Sequence, residues 1–110
     1  MAEDKDLKAE MTPLLTVMLH EVLVEVGVEN VFWYNYQKPS ANNTYAFVDV
    51  MLNDQITQIV LFEHGEEYWY YDGKLHRDGK PATKRRKYNP FLDDLYYYEY
   101  SYYMNGVDIT

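Results

Sequence analysis

Few residues of this 110-residue chain have the types that do chemistry. The three histidines, His20, His64 and His76, could act as acid–base groups or metal ligands. No two of them are close in sequence, and Glu25 does not stand at a ligand-pair spacing from His20, so a zinc site would need distant segments to converge. His64 adjoins a turn signal and is expected to be exposed; His76 is expected to stabilise a hairpin. Cysteine is absent, which excludes a disulfide framework, a thiolate metal site and a thiol nucleophile. Glu66-Glu67 and Asp93-Asp94 are adjacent carboxylates, but neighbouring strand residues point to opposite faces. The chain contains neither a phosphate-binding glycine loop nor a serine nucleophile elbow. The expectation is a non-enzymatic protein without cofactor or metal.

Charge and aromatic content point instead to surfaces. Lys74 to Lys87 holds seven basic residues against Asp78 alone, a segment of +6 in a chain of −8, so the remainder carries −14. A basic loop on an acidic body has two readings. Its charges pair with that body, or Lys84, Arg85, Arg86 and Lys87 dock an acidic partner or a phosphate backbone. The net negative charge argues against nucleic acid.

Tyrosine is the compositional outlier at thirteen residues, seven of them between Tyr88 and Tyr103. In a strand from Leu95 to Met104, Tyr96, Tyr98, Tyr100 and Tyr102 share one face, and Tyr97, Glu99, Ser101 and Tyr103 the other. Such a ladder is either half-buried packing with hydroxyls reaching water, or a rigid recognition surface.

The elements that must position these residues follow from periodicity. At 110 residues the chain is expected to be one domain, with a charged, frayed start over residues 1–11. Thr12-Pro13 reads as a helix entry. Leu14, Leu15, Met18, Leu19, Val22 and Leu23 form an apolar stripe, widened by Val24, Val26 and Val28, with Gly27 as the stop. This predicts a helix over Pro13 to Val26. Beyond Gly27 the period becomes two. Val31–Tyr36, Thr44–Leu52, Ile56–Phe62 and Glu67–Tyr71 read as strands, separated by a loop at Lys38–Asn43 and turns at Asn53-Asp54 and His64-Gly65. Asp72-Gly73 is a type I′ hairpin signal leading into a strand over Lys74–Arg77. Glu99–Gly106 echoes Glu67–Gly73, with Ala82–Tyr88 upstream in the place of Thr57–Glu63 and Asn105-Gly106 as a second such turn. The expected fold is α+β: an N-terminal helix packed on a mostly antiparallel sheet of five to seven strands built from hairpins. One helix covers only one sheet face, and a tyrosine ladder tolerates the exposure that remains.

Trp69, Tyr70, Gly73, Lys74, His76, Arg77, Pro81 and Ala82 carry a family resemblance. Their pattern resembles the Trp-Tyr-x-x-Gly-Lys-x-His-Arg-x-x-Gly-Pro-Ala hairpin repeat of bacteriophage and large-virus proteins, itself similar to MORN-type repeats. It departs from that pattern where Lys80 stands between Gly79 and Pro81. The resemblance covers one repeat and implies no activity. Together with the acidic body it leads to the expectation of a small protein-binding module. In that reading the chain is a phage-type inhibitor of a host protein, a nuclease or another defence factor, acting through an acidic, tyrosine-rich surface. Two alternatives stand beside it: nucleic-acid binding by Lys84–Lys87 next to the tyrosines, and an assembly protein whose hairpin edges pair between copies. No apolar run is long enough to span a membrane and the start is acidic where an export signal is basic, so the expected location is the cytoplasm, of the host cell if the protein is viral.

Overall fold

The computed structural model describes residues 13–40, 43–89, 91 and 95–110. The expected frayed start, the Thr12 cap and the Asp93-Asp94 pair lie outside the described residues. Helix α1 spans Pro13–Val26, as its periodicity predicts. Leu15, Met18, Leu19, Val22 and Val26 are buried on one side of it. Val24 and Val28 do not widen the stripe, being 65% and 67% exposed. At 100° per residue, Val24 sits far around the helix from Val22. Gly27, at φ +87°, donates to Leu23 O at 3.1 Å and ends the helix. The Asn30 side chain donates to Val26 O at 2.7 Å, satisfying a terminal carbonyl.

A single 3-10 turn, Val28–Asn30, leads into strands β1 (Val31–Ser40), β2 (Asn43–Leu52), β3 (Gln55–Phe62) and β4 (Glu67–Tyr71). The expected loop at Lys38–Asn43 is shorter than read, because Ser40 pairs with Asn43 and Pro39 lies within β1. Proline is tolerated there because β1 is an edge strand. Alternation in β2 and β3 selects the core: Ala46, Val48, Val50, Ile59 and Leu61 are fully buried against α1, with Trp69 of β4 beside them. β3 lies inside the sheet, paired on both sides.

The second half of the chain continues the same sheet. Asp72 and Gly73 both have positive φ, closing the hairpin from β4 to β5 (Lys74–Leu75). β5 ends at Leu75, although His76 N–H still donates to Trp69 O on β4 at 3.0 Å; Arg77, expected in the same strand, does not continue it. The Arg77 N–H turns away to Tyr103 O at 3.2 Å. β6 (Thr83–Asn89) pairs with the start of β4, and β7 (Leu95–Ser101) pairs with β6. The strand order is β1-β2-β3-β4-β6-β7, all antiparallel, with β5 beside β4. The strand expected to run on to Met104 breaks at Tyr102, whose N–H goes to Thr110 Oγ1 (2.7 Å) and whose C=O accepts from Ile109 N–H (2.8 Å). A separate ribbon of β8 (Tyr103–Met104) and β9 (Val107–Asp108) follows, turned by Asn105-Gly106 with both φ positive.

Candidate interaction surface

Lys84–Lys87 is not a loop: it forms the middle of β6. Strand alternation divides the four cations into two pairs. Lys84 lies opposite Tyr100, Arg86 opposite Tyr98, and Tyr88 opposite Tyr96, all on one side of the ribbon. Arg85 lies opposite Glu99 and Lys87 opposite Tyr97, on the other. The structure therefore brings the basic run and the tyrosine ladder together. Lys84 Nζ stands 4.6 Å from the Tyr98 ring centroid, and Arg86 Cζ stands 4.1 Å from that of Tyr96. Each is within cation–π range. The Tyr88 and Tyr96 rings are 5.5 Å apart. Tyr96 and Tyr100 remain about half exposed. Tyr102, expected as the fourth rung, falls in the break after β7.

Register fixes which side of the sheet this is. Leu61 pairs with Glu67, Glu67 with Lys84, and Lys84 with Tyr100. Paired residues share a face, so Tyr96, Tyr98 and Tyr100 project on the side that α1 covers over β2 and β3. They lie beyond the helix rather than on the opposite face. The acidic charge is not on this strand, where Glu99 is the one carboxylate.

Tyr98 differs from its neighbours. Its hydroxyl donates to His64 O at 2.8 Å, and the ring lies so close to Gly65 that a Cβ there would collide with it. Gly65 also holds φ +101°, so both backbone and space demand glycine. His64, expected to be exposed, is half-buried, stacked on Phe62 at 5.7 Å and bonded to Glu66 at 2.8 Å. Glu66 Oε2 accepts the Arg86 backbone N–H at 3.0 Å. Burial pushes the Glu66 carboxyl upward, but hydrogen bonds from His64 and Arg86, with the His64 charge, outweigh it and hold the group below its ordinary value. One turn is thereby fastened to both strands of the ribbon.

The residues of the repeat-like pattern form a second cluster. Arg77 lies over the Trp69 ring at 3.7 Å, donates to Pro81 O at 3.2 Å, and pairs with Glu25 of α1 and with Glu67. Trp69 Nε1 donates to Glu67 Oε2 at 2.6 Å, and Trp69 N–H to Ala82 O at 2.8 Å. His76 Nδ1 accepts the Asn105 backbone N–H at 3.0 Å, which leaves Nε2 to face Asp78 at 3.3 Å. His76 and Arg77 thus fasten one hairpin to the helix and to the next hairpin. The two readings of the basic run divide along the chain. Arg77 and Lys80 pair with Glu25, whereas among the described residues no side chain of Lys84–Lys87 forms an ion pair; Arg85 interacts with Tyr68 and Tyr103 and lies in the field of Asp108. Glu66 and Glu67 point apart into these two clusters, and no three His, Asp or Glu side chains converge on a metal position among the described residues.

Sequence reasoning missed the opposite face. Tyr45, Phe47, Phe62, Tyr68 and His64 form an aromatic chain across it with ring separations of 5.0–5.7 Å. The alternation in β2 and β3 contains the signal, since both faces of those strands carry large apolar residues. No helix of the described residues is long and apolar enough to cross a membrane. No protein-family model, curated protein or solved structure matches the chain.

Proposed function

We propose that this chain is a non-enzymatic protein-binding module that docks a partner through the β6–β7 ribbon. One observation carries the reading. Lys84 and Arg86 interleave with Tyr96 and Tyr100 on an exposed ribbon, and none of these cations is spent on an ion pair among the described residues. Tyrosine and arginine are the side chains enriched at interface hot spots, and here their rotamers are held by one another. The partner surface that fits is acidic and carries pockets for two rings. Inhibition of a host defence protein by a phage-type factor is the biological setting suggested by the repeat-like residues Trp69 to Ala82. Single-stranded nucleic acid is the second reading, favoured by the same interleaving of cations and stacking rings. Capture from lysate separates the two: a protein held by the wild type after nuclease treatment, and lost with Tyr100→Ala, supports the module. Capture that disappears with nuclease, or salt-dependent oligonucleotide binding that Arg86→Ala abolishes, supports nucleic acid.

A further inference from the structure

The sheet face away from α1 contains an unpaired carboxylate between two aromatic rings. Trp33, Asp49, Gln58, Tyr70 and Leu75 are successive partners across β1 to β5 and share one face. Trp33 reaches this face because the register of β1 shifts between Val31 and Trp33; Val31 packs on the core while Trp33 is 47% exposed. Phe47 and Val60 form the floor of the next row, and the whole encloses an open cleft of about 520 Å³. Among the described residues the Asp49 carboxylate makes neither a hydrogen bond nor an ion pair, although the residue is half-buried.

We infer that this cleft receives an arginine side chain of a partner polypeptide. A guanidinium binds a carboxylate through two parallel hydrogen bonds and stacks on aromatic faces, and tryptophan offers the strongest such face. Asp49 supplies the anion, Trp33 and Tyr70 the flanking rings, and Gln58 an amide acceptor. Phe47 and Val60 offer apolar surface to the methylene stem. The backbones bearing Trp33 and Tyr70 lie three strand spacings apart, about 14 Å, so the two rings bracket a side chain rather than clamp a small ion. The cleft is open to solvent, and a free small molecule would be left largely uncovered. A partner covering the remaining aromatic face supplies the missing wall. The lining of the cleft holds one carboxylate, Asp49, and no cation, so the charge it offers a partner is negative.

The test uses the full chain and a capped Gly-Gly-Arg-Gly-Gly peptide as probe, followed by amide and indole NMR shifts. The inference expects saturable shifts at Trp33, Asp49, Gln58 and Tyr70. It expects binding weakened about tenfold or more when citrulline replaces arginine or with Asp49→Asn, at unchanged melting temperature. Trp33→Ala, on an edge strand, is the second variant and should weaken binding similarly. Equal binding of the citrulline peptide, an unaffected Asp49→Asn, or no saturable shift at about 10 mM peptide overturns it. Free guanidinium binding as tightly as the peptide overturns the assignment to a partner's side chain.

Discussion

At the scale of single residues, four tyrosines that look equivalent in the sequence have different jobs. Tyr98 closes the His64-Gly65 turn with its hydroxyl and ring, whereas Tyr96 and Tyr100 end at solvent. Tyr98→Ala should therefore lower stability by about 2 kcal/mol in a denaturant melt, while Tyr100→Ala should change it by less than about 0.5 kcal/mol. Nothing in an alternating run of tyrosines distinguishes them, because the difference depends on a turn 34 residues away in sequence. Glu66 gives a pH prediction with a definite sign. Its carboxyl is held below the ordinary 4.5 in the folded state, so its contribution is complete above that value and is lost as pH falls through the lower folded one. The melting-temperature gap between wild type and Glu66→Gln should thus be full above about pH 4.5 and shrink as pH falls below it. A gap that is constant with pH would separate Glu66 from the turn.

At the scale of elements, the helix and the hairpin turns were legible because local chemistry decides them. The stripe from Leu15 to Val26 and the stop at Gly27 define α1 without reference to the rest of the fold. Asp72-Gly73 is the only residue pair between β4 and β5, and Gly73 at φ +74° has open space where a Cβ would be. Gly73→Val should then cost about 1 kcal/mol or more from backbone strain alone, measured by thermal melting. Gly65→Ala should cost more than Gly73→Ala, since only at Gly65 does a collision with Tyr98 add to the strain. At β6 the charge pattern misleads while the echo of Thr57–Glu63 points correctly to a strand. Four consecutive cations look like a solvated loop, yet each second one is accommodated on a ring of β7 across the ribbon. That pairing is non-local, and window-based reading cannot supply it.

At the scale of the whole molecule, one helix on the main sheet leaves two surfaces uncovered among the described residues. α1 covers β2 and β3, the ribbon β6–β7 extends past it on the same side, and the aromatic face around Asp49 lies behind. The molecule is a slab, 22 Å along its shortest axis against 44 and 43 Å along the others, so both surfaces are broad. The α+β architecture followed from the change of period at Gly27; which face each tyrosine occupies depended on the register between β4 and β6, a contact of two residue pairs. Docking by the β6–β7 ribbon is the function proposed for this slab. It is tested most directly by measuring Tyr100→Ala for both melting temperature and affinity toward the protein captured from nuclease-treated lysate. An affinity loss of about 30-fold, near 2 kcal/mol, is expected, with the melting temperature preserved. A lowered melting temperature with affinity per folded molecule unchanged would contradict it.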